Sequence, residues 1–110
     1  MDNFLYTKDN QRKINESRKK CILYFERSID EFRLGEKKSE EAYMIYTLAV
    51  KQNLFYCFGK AKKLVAQAKD IATLLNEKLL LDKIVLLEKE NANKNRNIRN
   101  YVEEFGLDLP

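Results

Sequence analysis

The stretch "SEEAYMIYTLAV", residues 39 to 50, decides the fold, because it is apolar over more of its circumference than an ordinary surface helix. Five consecutive residues, from Ala42 to Tyr46, are apolar or aromatic. A surface helix with one buried stripe shows apolar residues at every third or fourth position instead. The stretch therefore predicts a helix covered on more than one side, either by other helices of the chain or by a partner.

The composition favours an all-α fold with a single core. The chain has 110 residues, of which three are glycine and one is proline, at position 110. A chain of this length builds one domain, and long segments without proline or glycine permit long helices. We therefore predict an all-α fold, an antiparallel three-helix bundle with an additional C-terminal helix.

Apolar residues at helical spacing place the first three helices. The first covers roughly residues 9–34 and ends at Gly35, which is free to adopt a positive φ. The second begins with Ser39 as its cap and runs to about Tyr56. So short a link makes the first two helices an antiparallel hairpin. Gly59 then marks a break or a close helix contact.

The C-terminal part leaves alternatives open. Asn76 and Glu77 either break the third helix or lie within one long rod, and residues 91–97 are either helix or loop. In the leucine-rich segment 79–87, one line of residues either closes the bundle as a fourth helix or forms a homodimer seam; these residues are Leu80, Ile84 and Leu87. The predicted divisions are an N-terminal tail 1–8, a bundle 9–78, an additional helix 79–105 and a tail 106–110.

Charge and hydropathy narrow the classes of function. The formal net charge is +4, and the 21 basic residues are spread along the chain among 17 acidic ones. This pattern is typical of a solvated surface, so nucleic-acid binding is not expected. The apolar runs are too short for a transmembrane segment, and the first residues are too polar for a signal peptide. A cytoplasmic location is expected.

Catalysis and cofactors are not expected. The chain has no histidine, no phosphate-binding loop and no nucleophile motif. Cys21 and Cys57 have neither the number nor the spacing of a zinc site, and both sit among apolar residues, as buried reduced thiols do. No carboxylates are clustered as a Ca²⁺ loop requires. The sequence predicts an interaction module rather than an enzyme, with no catalytic residue, cofactor or metal.

The middle of the chain resembles a known family. The run Glu40, Glu41, Ala42, Tyr46, Ala49 and Val50 has the spacing found after the first helix of microtubule-interacting and trafficking (MIT) domains. A closer likeness is to the N-terminal MIT-like helices of endosomal deubiquitinases, where Arg33, Leu34 and Tyr43 also match. The resemblance covers about residues 18–78. It implies a module of the ESCRT pathway, recruited to endosomal membranes, that binds a short amphipathic helical tail of an ESCRT-III subunit.

The residues predicted to bind such a peptide come from the helical pattern. Met44, Leu48 and Phe55 form a third apolar strip of the second helix, beyond the two that neighbouring helices would cover. Lys60 and Lys63 are expected to flank it, so the expected peptide carries acidic residues beside its leucines. A different class of function is the alternative: a small stand-alone regulator or inhibitor, of phage or bacterial type, that masks a partner's surface.

Overall fold

The computed structural model describes the backbone of residues 8–105 and the side chains of residues 8–100. Within these residues the chain forms four helices: α1 (Lys8–Leu34), α2 (Lys38–Leu54), α3 (Phe58–Leu74) and α4 (Lys78–Phe105). The predicted all-α fold is confirmed. Except for Lys8, the predicted tails 1–8 and 106–110 lie outside the described residues. In the described part, no helix combines the length and apolar character needed to cross a membrane.

The three turns between the helices have the same conformation at intervals of twenty residues. Glu36, Tyr56 and Asn76 have positive φ angles of 57°, 61° and 56°. In each turn the next residue donates its N–H to the carbonyl five positions earlier, for example Cys57 to Gln52 at 2.8 Å. This is the Schellman motif, which satisfies the last carbonyls of a helix. Each turn reverses the chain, so consecutive helices are antiparallel.

Three predicted boundary residues have other roles. The left-handed residue of the first turn is Glu36, not Gly35. Gly59 lies inside the first turn of α3, and a side chain there would meet nothing within 4 Å, so it marks neither a break nor a close contact. Ser39 makes no cap hydrogen bond. Its Oγ instead donates to Glu77 Oε1 at 2.7 Å, which ties the start of α2 to the α3–α4 turn.

Helix α2 lies at the centre, in contact with α1, α3 and, over a shorter length, α4. Helix α4 packs mainly on α3. No Cα of α1 lies within 8 Å of α3 or α4 in the described part of the chain. A closed three-helix bundle would bring the first and third helices together. Here they stand apart on either side of α2, and a groove runs between them.

The core answers most of the question raised by the apolar second helix. Ala42, Ile45, Leu48 and Ala49 of α2 are all buried, and side chains of the other three helices surround them. The buried residues contributed by the other helices are Ile29, Val65, Ala68, Ala72, Leu80, Ile84 and Leu87. The chain's own helices therefore cover α2 on several sides.

Helix α4 closes this core. It runs without a break through residues 91–97, so the alternative of a loop there is wrong. Leu80, Ile84 and Leu87 are buried within the single chain, which assigns them to the core and not to a seam between two copies. Asn91 fixes the helix further along: its Nδ2 donates to Asn53 Oδ1 at 3.1 Å and to the Phe58 carbonyl at 3.3 Å.

The outer helices project beyond the inner ones at the same end of the molecule. Helices α1 and α4 have 27 and 28 residues, whereas α2 and α3 have 17 each. Arg18 of α1 lies over the Phe55 ring, and Asn91 of α4 reaches Phe58. The ten residues before Arg18 and the residues after Asn91 therefore extend past the α2–α3 turn.

Candidate functional site

The groove between α1 and α3 is a concave surface with an apolar floor and charged walls. It encloses about 430 Å³ above α2. Ile29, Ile45 and Leu48 form its apolar floor, and all three are buried. The groove exists because α2 separates α1 from α3, while side chains of the two walls reduce the exposure of its floor residues to 6% or less. An amphipathic helix laid into such a groove would bury its own apolar face there.

The two walls of the groove carry opposite charges. The α1 wall presents Glu26 and Asp30, together with Arg33, and the α3 wall presents Lys60 and Lys63. Within the described side chains, Glu26 and both lysines make no ion pair. Asp30 lies 3.9 Å from Arg33, whose Nε also donates to Glu41 Oε2 at 3.1 Å. Charges left unpaired on a groove wall are available to a ligand and favour complementary partners.

A buried amide on the floor has an unused hydrogen-bond acceptor. Gln52 lines the groove and is only 4% exposed. Its Oε1 is buried and has no hydrogen-bond partner in the protein. A buried acceptor left unsatisfied costs about 1–3 kcal/mol. Because this atom has less than 1 Å² of exposed surface, a donor from a ligand reaches it only when the Gln52 side chain turns toward the groove.

The predicted partner-binding residues do not all meet in this groove. Leu48, Lys60 and Lys63 line it, whereas Met44 and Phe55 do not. Phe55 is half-buried under the Arg18 guanidinium, 5.0 Å from its ring centre, and Met44 is half-buried against the core. Leu48 lies about 40° further round the helix than Met44. That rotation separates Leu48 from Met44, whereas Phe55, the C-cap residue of α2, is kept out of the groove by its place under Arg18 of α1.

A second, smaller groove lies between α2 and α4, where Tyr46 and Val50 face Leu86 and Glu90. Burial raises the pKa of the Tyr46 phenol, and the neighbouring Tyr43 and Glu90 raise it further. The phenol therefore remains protonated and uncharged at neutral pH. Among the residues that line this groove, no base is paired with a nucleophile. The lining side chains lie where α4 packs beside α2.

The groups that carry chemistry elsewhere are isolated. Cys21 and Cys57 are free thiols, each half-buried. In the described part of the chain, no three acidic, cysteine or histidine side chains are grouped as a metal site would require.

Sequence reasoning missed Glu26, Asp30 and Gln52. A signal was present, because Glu41, Ile45, Leu48 and Gln52 recur at helical spacing and form one stripe of α2. Polar residues within an otherwise apolar stripe indicate a face that is covered incompletely. The acidic residues of α1 gave no such signal, since their role depends on α1 standing opposite α3.

Comparison with known proteins adds no relative: no protein-family model, no curated protein and no solved structure matches the chain.

Proposed function

We propose that the chain is a non-catalytic protein–protein interaction module that binds a short amphipathic helical peptide in the groove between α1 and α3. The observation that carries the proposal is the buried, unpaired Oε1 of Gln52 on the floor of an apolar groove. An unsatisfied buried acceptor in a native protein calls for an explanation, and a hydrogen bond formed on binding a partner is the one proposed here.

The walls of the groove describe the peptide. Its apolar residues recur at helical spacing and rest on Ile45 and Leu48. One edge carries acidic residues opposite Lys60 and Lys63, as expected from the sequence. The other edge carries basic residues opposite Glu26 and Asp30, which the sequence did not predict. A side-chain donor near the middle, such as a serine or glutamine, reaches Gln52.

The resemblance to MIT domains supports a cellular setting for this proposal. In that family the bound peptides are tails of ESCRT-III subunits, so by this resemblance the module would act on the cytoplasmic side of endosomal membranes. Glu41, Ala42 and Ala49, which carry part of the resemblance, are buried in α2. They contribute to the scaffold that holds the groove, so the resemblance concerns the scaffold more than the binding residues.

Charge reversal of the α3 wall tests the groove. A labelled helical peptide with leucines on one face and glutamates along one edge is titrated by fluorescence anisotropy. Lys60→Glu/Lys63→Glu should weaken its binding about tenfold, since two attractive pairs of about 0.2–1 kcal/mol each become repulsive. The same peptide with lysines in place of the glutamates should bind the variant better than the wild type. Lys78→Glu/Lys89→Glu, which changes charge outside the groove, serves as the control.

Gln52→Leu tests the observation itself. Removing the unsatisfied amide should stabilise the free protein against urea and at the same time weaken binding of a peptide whose central residue is a donor. Together these two effects distinguish a binding group from a packing group. If Gln52→Leu raised stability and left every peptide affinity unchanged, and the charge reversal had no effect, the peptide site would be elsewhere.

An exposed apolar surface favours a second candidate function, a small regulator that masks a partner's surface. Around the α2–α4 groove, Tyr43, Leu54 and Leu86 are 52%, 52% and 66% exposed. Leu54→Glu/Leu86→Glu should leave peptide binding intact, because neither residue lines the α1–α3 groove. Light scattering of the wild type at increasing concentration tests self-association, and a dimer that this variant converts to a folded monomer assigns the surface to a homodimer.

A further inference from the structure

One end of the molecule gathers most of the positive charge. This basic end comprises residues 8–20 of α1, 58–63 of α3 and 91–100 of α4. It holds twelve of the 21 basic residues of the chain and, of the acidic ones, only Asp9 and Glu16. The basic residues are Lys8, Arg12, Lys13, Arg18, Lys19, Lys20, Lys60, Lys62, Lys63, Lys94, Arg96 and Arg99.

A groove between α3 and α4 opens at this end. It encloses about 460 Å³ and is lined by Lys62, Arg96 and Arg99, together with Asn95 and Asn100. The groove forms because α4 continues beyond the first turn of α3. Helical spacing places Arg96 and Arg99 on one side of α4, since residues three apart are neighbours on a helix surface.

Among the described side chains, the cations of this groove have no acidic partner. Of the described carboxylates, none lies within 4.0 Å of Lys62, Arg96 or Arg99. The acidic residue that lines the groove, Glu88, pairs with Lys69 at 3.4 Å. Glu90 pairs with Lys94 at 3.1 Å. Glu103 and Glu104 follow in the last turns of α4. Guanidinium groups bind phosphate oxygens through paired hydrogen bonds, and asparagine amides add neutral donors.

An exposed aromatic ring accompanies the charge. Tyr56 stands at the left-handed position of the α2–α3 turn and is 62% exposed. Its ring meets the Phe58 ring edge-on, with centroids 5.8 Å apart, and the Schellman hydrogen bonds hold the turn. Positive grooves with adjacent exposed aromatic rings are the usual means of binding single-stranded nucleic acid, because bases stack on the rings while the backbone follows the charge.

We propose that the α3–α4 groove binds the phosphodiester backbone of a single-stranded nucleic acid, with Tyr56 as a stacking platform for a base. The even spread of charge along the sequence predicted otherwise. The fold changes that conclusion, because antiparallel helices of unequal length bring distant basic segments to one end. The proposal concerns a different groove from the peptide site and does not depend on it.

A matched pair of variants tests the proposal with a short fluorescein-labelled oligonucleotide. Lys62→Gln/Arg96→Gln/Arg99→Gln removes the groove cations. Arg27→Gln/Lys37→Gln/Lys78→Gln removes exposed cations away from the basic end, and each variant lowers the formal net charge from +4 to +1. For the wild type, the logarithm of the affinity should fall linearly with the logarithm of salt concentration. In the groove variant the magnitude of that slope should be smaller than in the wild type by about two to three. In the control variant it should change much less.

One further variant and two further ligands identify what this groove binds. Tyr56→Ala should weaken binding of the single strand about fivefold or more, because stacking on one aromatic ring contributes roughly 1–3 kcal/mol. A duplex of the same sequence should bind more weakly than the single strand. The proposal is overturned if the wild type does not bind the oligonucleotide, or if the two triple variants lose equal affinity. It is also overturned if the duplex binds more tightly, or if only vesicles containing phosphatidylserine bind.

Discussion

The two long helices, α1 and α4, are attached to the molecule in different ways. Helix α4 packs on both α3 and α2, and it buries Leu80, Ile84 and Leu87. Helix α1 packs on α2 alone in the described part of the chain, and Ile29 is its one buried apolar side chain there. Helix α4 therefore completes the core, whereas α1 forms one wall of a groove. With fewer buried contacts, α1 is expected to be the less firmly held of the two.

Truncating one buried isoleucine in each helix should show the largest effect. Ile84→Ala should cost about 3–5 kcal/mol of unfolding free energy, because Ile84 has no exposed surface and leaves a closed cavity. Ile29→Ala should cost about 2 kcal/mol, since Ile29 lines an open groove into which neighbours and water can move. Urea unfolding followed by circular dichroism measures both.

Exposed leucines of the same helices provide the controls. Leu79→Ala in α4 and Leu34→Ala in α1 alter side chains that are 81% and 86% exposed, and should change stability by less than about 0.5 kcal/mol. Equal costs for the two isoleucine variants would contradict the unequal attachment of the helices. Hydrogen exchange offers a second measure, in which amides of α1 should exchange faster than the buried part of α4.

The buried asparagine pair should show a smaller effect that is particular to α4. Asn91→Leu leaves Asn53 Oδ1 and the Phe58 carbonyl without their donor, and should cost about 1–3 kcal/mol. Asn53→Leu/Asn91→Leu removes both amides and should recover part of that loss. Asn93→Leu, at an exposed position of the same helix, corrects for the better helix propensity of leucine. The cost of the double variant is compared with the summed costs of Asn91→Leu and Asn53→Leu. A double variant that costs more than this sum would show that the pair does not act through its hydrogen bond.

The contrast between α1 and α4 also shows what the sequence could reveal. Apolar spacing predicted the all-α fold and the apolar character of the segment containing Leu80 and Ile84, because helical periodicity is a local property. It did not decide whether that segment faced the core or a second copy. That choice depends on the direction in which the α3–α4 turn sends the chain.

The turns were harder to place than the helices. The sequence predicted that the first helix ends at Gly35, since glycine adopts a positive φ at little cost, and that Gly59 marks a break or a close helix contact. The left-handed residues are instead Glu36, Tyr56 and Asn76, and of these only asparagine favours that conformation. The turns recur every twenty residues, but the residue type at their left-handed position differs each time and gives little indication of a turn. The residue that ends the preceding helix is more regular, because Leu34, Leu54 and Leu74 each end a helix.

The groove between α1 and α3 was predictable only in part. Leu48, Lys60 and Lys63 were predicted from the surplus of apolar residues on α2 and the lysines that follow. Gln52 and the acidic wall of α1 were not, because the spacing of residues along a helix does not tell whether its neighbours meet over a given stripe. The same limit applies to the basic end, which exists only once helices of unequal length are laid side by side.

The smallest expected effect concerns Tyr46, which joins α2 to α4. Its pKa lies above the ordinary value of 10.0, chiefly because the phenol is partly buried, and also because Tyr43 and Glu90 lie near it. The folded protein therefore holds the phenolic proton more tightly than the unfolded chain does. The corresponding stability is fully present below pH 10 and is lost as the pH rises through the folded-state pKa.

Tyr46→Phe removes this loss, so its stability should decline less steeply than that of the wild type above pH 10. All other ionisable groups are the same in both proteins, so their contribution cancels in the comparison. Tyr24→Phe, on the exposed surface of α1, is the matched control and should follow the wild-type curve. Parallel curves for the wild type and Tyr46→Phe would mean that the contact between α2 and α4 does not desolvate the phenol, and that α4 is held there more loosely than the buried residues around Ile84 indicate.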